Sequence, residues 1–195
     1  MASNAQLIAV KDCGIFNGYR NLFRRENRQW FGTWQWLVQA GIWMAIINGI
    51  LATIMLAAPK IEAAQTRAEL STAEAAQASA TVAQTGLMVF FIFSGLAAGA
   101  GVVIIAQDAL IGEKQSGTAA WVLSKPVSRL SFILSKLGAD ALGVLVSMVL
   151  IQGGVAYLIY RAGTGIALGI PHFLGALGLV YLTLLFYLSL TYMLG

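Results

Sequence analysis

The sequence predicts an all-α protein that crosses a lipid bilayer four times. Hydrophobic residues make up 58% of the 195 residues and charged residues only 10%, against about 25% charged residues in an average soluble domain. Four apolar runs, at residues 34–58, 86–107, 138–160 and 172–195, are long enough to span hydrocarbon, which takes about 20 residues. None has the polar face at helical spacing that a helix of a soluble bundle needs.

Residues 1–33 precede the first span, and most of this segment has the pattern of an amphipathic helix. In residues 15–31, apolar and aromatic side chains, Trp30 among them, recur near one helical face. Four arginines lie mostly outside that face: Arg20, Arg24, Arg25 and Arg28. The pattern predicts an interfacial helix with its aromatic residues at the acyl boundary and its arginines near anionic lipid. A basic flank that only sets the topology is the alternative.

Residues 59–85, between the first two spans, are rich in alanine and predict helix. A single helix of this length would carry the chain about 40 Å at 1.5 Å per residue, yet the second span must begin near the end of the first. Ser71 and Glu74 have the spacing of a capping box, which marks a helix start. We therefore predict a helical hairpin that turns near residues 70–72 and extends both spans outward.

Lysine and arginine are unevenly distributed between the two sides of the predicted membrane domain, residues 34–195. Five precede the first span, two separate the first and second spans, four separate the second and third, and one separates the third and fourth. Alternate compartments therefore hold nine against three. The positive-inside rule places the N-terminus and residues 108–137 in the cytoplasm, so we expect a multi-pass protein of the cell membrane.

Small residues and two amides are the notable groups inside the predicted spans. Gly95, Gly99 and Gly101 are spaced for close helix packing, and Asn48 and Gln152 are expected to hydrogen-bond between helices. No Lys, Arg, Asp or Glu lies deep within a predicted span. Because ion-driven pumps need such groups, this pattern argues against an ion-driven mechanism.

The composition also argues against an enzyme. One cysteine and one histidine cannot form an intrachain disulfide or a ligand set for structural zinc or haem. The sequence has no set of acid, base and nucleophile and no G-x-x-x-x-G-K-[ST] phosphate loop. We therefore expect no catalytic residue, no metal and no cofactor in this chain, and no nucleic-acid partner for arginines that lie beside a membrane span.

Residues 108–137 stand out because they hold six charged residues and a proline. They cannot form another span, since each charge costs about 2.5 to 3.5 kcal/mol at a helix centre. Thr118 is placed to cap a short helix that Pro126 ends. Ser128 can cap the next helix, which begins at Arg129 and runs into the third span. The sequence thus predicts a short surface helix fixed at both ends to transmembrane helices.

This loop carries an ordered set of residues that resembles a known family. The set consists of Glu113, Gly117, Thr118, Leu123, Ser124, Pro126, Val127, Ser128, Arg129 and Lys136. It is similar to the cytoplasmic loop of the ABC-2 type transporter permease family, and the run NLFRREN before an aromatic-rich first span resembles that family's amphipathic N-terminal helix. Members commonly have six spans, so the resemblance implies two more beyond Gly195.

The resemblance implies a membrane subunit of an ATP-driven exporter whose short coupling helix docks on a separate ATP-binding-cassette ATPase subunit, which binds the ATP. The partner-binding residues would be Glu113, Gly117, Thr118, Leu123, Pro126, Ser128 and Arg129. Glu113 and Arg129 would be polar contacts, the Gly-Thr pair a turn and cap, and Pro126 with Ser128 the break and restart of the helix. A second permease copy would complete the transport path.

Two alternatives stay open at the level of sequence. Lys125, Arg129 and Lys136 could serve only as anchors on the inner side of the membrane, Gly117 only as a turn and Pro126 only as a helix stop. The chain could also be a structural or accessory subunit of a larger membrane complex, built on a permease-like scaffold without transport activity. The proteins bound to the native chain would separate these functions.

Overall fold

The computed structural model describes residues 16–57, 72–115, 117 and 127–194. The regular structure of these residues is helical, and no strand occurs among them. Four helical segments are long and apolar enough to cross a membrane: Trp36–Ala57, Ala76–Gln107, Arg129–Thr164 and Ile170–Leu194. These are the first to fourth spans. The prediction of an all-α polytopic membrane protein with four transmembrane helices is confirmed.

Seven α-helices and three π-helical turns make up the described part of the chain. Helix α1 (Tyr19–Phe31) precedes the spans. The first span consists of α2 (Gln35–Trp43), a π turn (Met44–Asn48), α3 (Gly49–Ala52) and a second π turn (Thr53–Ala57). The second span lies in α4 (Thr72–Gln115). The third span consists of α5 (Arg129–Val144), a π turn (Leu145–Leu150) and α6 (Ile151–Thr164). The fourth span is α7 (Ile170–Leu194).

The helix that holds the second span is much longer than a bilayer is thick. α4 has 44 residues and is about 66 Å long at 1.5 Å per residue, against a hydrocarbon layer of about 30 Å. It therefore continues past the apolar segment at both ends. Residues 58–71 lie outside the described residues, and so does most of the predicted hairpin turn.

The third span is the central element of the bundle. It runs parallel to the first span and also contacts the second and fourth spans, while the second and fourth spans pack extensively on each other. In its most apolar window 44% of the residues are buried, against 28 to 33% in the other three spans. A displacement of the third span would consequently act on all of its neighbours.

A pair of amides joins the first and third spans inside the bundle. Asn48 Nδ2 donates to Gln152 Oε1 at 2.6 Å, and Gln152 Nε2 donates to the carbonyl oxygens of Ala40 at 3.0 Å and Ser147 at 3.3 Å. Both amides are almost completely buried. Ser147 lies in a π turn, where the regular backbone ladder is interrupted, and Ala40 lies in α2, before the π turn that begins at Met44. The predicted interhelical hydrogen bonding of these two residues is confirmed.

Two of the predicted packing glycines let α4 approach aromatic rings of other spans. A Cβ atom on Gly99 would lie 2.8 Å from the ring of Tyr187 in the fourth span, and one on Gly101 would lie 2.0 Å from the ring of Trp43 in the first. The packing prediction is confirmed at these positions. At Gly95, by contrast, a Cβ would meet no atom of another described segment within 4 Å.

We predict that Gly101→Ala lowers the free energy of unfolding by about 1 to 3 kcal/mol, because the methyl group forces the Trp43 ring out of place. The matched control is Gly95→Ala on the same helix, which should be neutral or stabilising by up to about 1 kcal/mol through helix propensity. Thermal unfolding of both variants in one detergent measures the difference. Equal losses of stability would contradict the packing of α4 on the first span.

Candidate functional site: the loop end of the bundle

The connection between the second and third spans emerges at the end of the bundle that also holds α1 and the C-terminal end of α7. We call this the loop end. Helix α4 continues to Gln115, so the backbone of Glu113 belongs to it. Of the predicted partner-binding residues, three lie outside the described residues: Thr118, Leu123 and Pro126. The short helix predicted after Thr118 lies outside them as well.

The described parts of the loop agree with the local predictions. Gly117 is exposed and has a φ of +69°, in the left-handed region that glycine adopts without strain. Ser128 Oγ accepts a hydrogen bond from the backbone N–H of Ser131 at 3.0 Å, and α5 begins at Arg129. The predicted cap and helix start are confirmed. Arg129 is exposed in the first turn of α5.

The returning end of the loop lies against the N-terminal end of α1. Gly18 is the N-cap residue of α1 and has a φ of +81°. A Cβ atom at Gly18 would lie 3.1 Å from Cγ2 and 3.2 Å from Cγ1 of Val127. A larger residue at position 18 would therefore have a strained backbone and would also crowd Val127. The loop thus returns to the bundle across the start of α1.

Helix α1 packs lengthwise along α5 in the same direction. After the contact of Gly18 with Val127, Glu26 meets Lys136, and the Trp30 ring lies over Gly143, where a Cβ atom would be only 2.5 Å away. The residue numbers of the partners rise together, so the two helices run parallel. On the aromatic face of α1, Trp30 is therefore buried against α5, Tyr19 and Phe23 are half-buried, and Phe31 is exposed.

The basic residues of α1 lie away from α5. Four arginines are exposed and form no ion pair with any described residue: Arg20, Arg24, Arg25 and Arg28. Trp30, which the sequence placed at the membrane interface with them, is only 5% exposed; its ring packs on α5 and its indole N–H donates to Asp140 of that helix. The amphipathic pattern of α1 is present, and the depth of the helix relative to lipid stays a prediction.

A buried ion pair fastens α1 to α5. Lys136 Nζ lies 3.2 Å from Glu26 Oε2, and the two side chains are 6% and 10% exposed. Removing one member of such a pair leaves an uncompensated buried charge, which is strongly destabilising. Lys136 belongs to the residue set that resembles the family loop, and here it binds another helix of its own chain.

One helical turn beyond Lys136, Asp140 connects three elements. Its Oδ1 accepts a hydrogen bond from Trp30 Nε1 of α1 at 2.6 Å, and its Oδ2 accepts one from the Tyr192 hydroxyl of α7 at 2.5 Å. Asp140 is 7% exposed. Residues four apart lie on one face of a helix, so Lys136 and Asp140 present a paired charge array to α1 and α7.

Sequence reasoning missed this array. It gave Asp140 no role and counted Lys136 only among possible anchors, without a partner for either. Two signals were present: a cation and an anion at i and i+4 where an apolar run begins, and Glu26 as the lone acidic residue among the arginines of α1. Charges at such a place need partners.

The fold and the loop end can now be compared with known proteins. The family model described as ABC-2 family transporter protein matches residues 36–195. The chain belongs to the ABC-2 transporter family. No curated protein and no solved structure matched the chain significantly. The resemblance read from the loop is thereby confirmed.

This ABC-2 family member is accordingly a permease-like, multi-pass transmembrane subunit with a role in transport. The matched region contains all four spans and the loop, while α1 precedes it. The Glu26–Lys136 pair and the Trp30–Asp140 hydrogen bond therefore join a segment outside the match to the most buried span inside it. In the part of the chain that the structure describes, no cluster of three metal-ligating side chains occurs.

We predict that Lys136→Met or Glu26→Gln alone lowers the free energy of unfolding of the ABC-2 permease by about 3 to 5 kcal/mol, because each strands a buried charge. The double substitution should lose clearly less than the sum of the two single losses. Thermal unfolding of the four proteins in one detergent gives the double-mutant cycle. Strictly additive losses would contradict the ion pair, and Arg25→Gln, at an exposed position of α1, serves as the control.

Proposed function

We propose that this chain is the membrane-spanning subunit of an ATP-binding-cassette exporter. A separate ATPase subunit binds and hydrolyses ATP and docks on the coupling loop, residues 108–137. A second permease copy or a homologue completes the transport path. The chain itself is non-catalytic and holds no cofactor; its task is to convert movement of the ATPase into movement of helices.

The observation that carries the proposal is the mechanical continuity between the loop and the bundle. The loop leaves from α4, which remains helical to Gln115, and it returns into α5, which is capped at Ser128. Both helices continue into spans without a break at the membrane surface. A force on the loop therefore acts on stiff helices, and one of them forms the most buried span of the molecule.

Exposure of Arg129 supports its role as a partner contact. Its side chain is exposed in the first turn of α5, whereas Lys136, two turns later, is buried against Glu26. A guanidinium group in water costs no desolvation until a partner covers it, and it can then form a bidentate bond to a carboxylate. Glu113, on the other side of the loop, would be the second polar contact.

We also propose that the N-terminus, α1 and the loop lie on the cytoplasmic side of the cell membrane. Nine of the twelve Lys and Arg residues fall in that compartment. The exposed arginines of α1 point away from α5, where each could gain about 1 kcal/mol near anionic headgroups. Trp30, which is buried against α5, would then help to hold α1 at the membrane interface through its contacts with protein rather than with lipid.

The docking surface is tested by charge reversal. We predict that Glu113→Lys with Arg129→Glu abolishes co-purification of an ATPase subunit after gentle detergent extraction and lowers ATP-dependent transport, because two polar contacts become repulsive. Arg161→Glu is the matched control: Arg161 is an exposed arginine in the last turn of α6, at the other end of the third span, and its reversal should leave the ATPase subunit bound.

Retention of the ATPase subunit and its activity in the double variant would refute the docking assignment. Recovery of other membrane proteins without any ATPase subunit, from the wild type as well, would support the accessory-subunit alternative instead.

Labelling of cysteines tests the orientation. In a Cys13→Ala background, a cysteine at Arg24 or Arg129 should react with a membrane-impermeant maleimide only after the cells are opened, because both positions are expected in the cytoplasm. A cysteine at Arg161 should react on intact cells. The reverse pattern would place the loop on the outside and would overturn the proposed function.

A further inference from the structure

We infer that Asp140 is a positioning residue that makes the third span, α1 and the end of the fourth span move as one body. The inference rests on the proposed function, since it concerns how a push on the loop is distributed within the bundle. It follows from the way one carboxylate binds two elements at the same time.

The two oxygens of Asp140 serve different helices. Oδ1 accepts from the indole N–H of Trp30 in α1, and Oδ2 accepts from the hydroxyl of Tyr192 in α7. An indole N–H can only donate, so that partner requires an acceptor. Because each oxygen accepts from a different helix, a single side chain holds both elements.

The position of Asp140 along the helix suits it to this role. Helix α5 runs without interruption from Arg129 to Val144, and the π turn begins at Leu145. Asp140 therefore lies in the regular segment that starts at the loop, about 17 Å from Arg129 at 1.5 Å per residue. Movement of the loop reaches Asp140 before the helix changes its geometry.

The ion pair beside Asp140 gives α1 a second point of attachment. Lys136 binds Glu26 on the same face of α5, one turn nearer to the loop. The fourth span has a different second contact with this region: the Tyr181 hydroxyl donates to the backbone carbonyl oxygen of Ala141 at 3.2 Å. That longer, neutral bond on the same pair of helices provides a matched control for the bond of Tyr192.

We call the two contacts of Asp140, with Trp30 and with Tyr192, the joint. It is tested first by measuring distances within the purified permease. Spin labels are placed at the exposed residues Ile133 of α5, Arg25 of α1 and Met193 of α7, as cysteines in a Cys13→Ala background. The Ile133–Arg25 pair reports the docking of α1 on α5. The Ile133–Met193 pair reports the docking of α7.

Each variant should release only the helix whose hydrogen bond to Asp140 it removes. Trp30→Phe should raise the undocked population in the first pair about tenfold, as expected when a buried acceptor loses its hydrogen-bond donor, and should leave the second pair unchanged. Tyr192→Phe should do the reverse. Asp140→Leu, which removes both acceptor oxygens, should loosen both pairs, and Tyr181→Phe should loosen neither.

A purely structural role of Asp140 predicts a different pattern. If Trp30→Phe and Tyr192→Phe each loosened both pairs, or if Tyr181→Phe acted like Tyr192→Phe, the bundle would be responding as a whole and the inference would be wrong. The inference is supported if Trp30→Phe loosens only the Ile133–Arg25 pair and Tyr192→Phe loosens only the Ile133–Met193 pair.

The moving step requires the complex with the ATPase subunit, and a label at Ile104 of α4, another exposed position, supplies the reference. On addition of ATP, the Ile104–Ile133 distance of the wild type should change while the Ile133–Arg25 and Ile133–Met193 distances stay constant. In Asp140→Leu the latter two distances should change as well. Constant Ile133–Arg25 and Ile133–Met193 distances in Asp140→Leu would refute the role of Asp140 and would leave the proposed function standing. If the Ile104–Ile133 distance of the wild type does not change on addition of ATP, the proposed function is refuted, and with it this role of Asp140. That holds even if Trp30→Phe and Tyr192→Phe each loosen only their own pair.

Discussion

The pairing of buried charges where the third span enters the bundle is the constraint on which the rest of the structure depends. Lys136 and Asp140 lie on one face of α5 and are both nearly inaccessible to solvent. Neither could remain charged in an apolar surrounding without partners. Glu26 and Trp30 of α1 and Tyr192 of α7 supply those partners. The packing of α1, α5 and α7 at this end therefore satisfies the two buried polar side chains, Lys136 and Asp140.

This arrangement explains why α1 lies along α5 although it precedes the membrane domain in the chain. Its aromatic residues fill the surface of α5 at small residues, as the Trp30 ring does at Gly143. Its one acidic residue meets the buried lysine, and its arginines remain outside. The same contacts attach the returning end of the loop to the bundle, which is the property that the proposed coupling to an ATPase subunit requires.

Much of the fold could be predicted because hydrophobic run length and helix capping are local properties. Four apolar runs gave four spans, Ser128 caps α5, and the amides of Asn48 and Gln152 found each other because buried amides in lipid have few other partners. The residues of the loop also pointed to the family that the chain belongs to.

The rest could not be predicted, because an amphipathic pattern has the same form whether its apolar face meets lipid or another helix. The aromatic residues of α1 were assigned to the acyl boundary, whereas Trp30 is packed on α5. The partners of Asp140 lie 110 residues before it and 52 residues after it in the chain, a separation at which spacing carries no information. The docking of α1 therefore required a three-dimensional structure.

The most direct test of this account is a disulfide between α1 and the returning end of the loop. A Cβ atom on Gly18 would lie 3.6 Å from the Cβ of Val127, within the range of about 3.5 to 4.5 Å that a disulfide needs. In a Cys13→Ala background, Gly18→Cys with Val127→Cys should cross-link within one chain under mild oxidation, and Gly18→Cys with Gly154→Cys should not. Both pairs carry a cysteine at the left-handed φ of Gly18, which is strained, so their thermal unfolding is compared first. When both pairs are folded, failure of the first pair to cross-link, or equal reaction of both pairs, would contradict the docking of α1 along the third span.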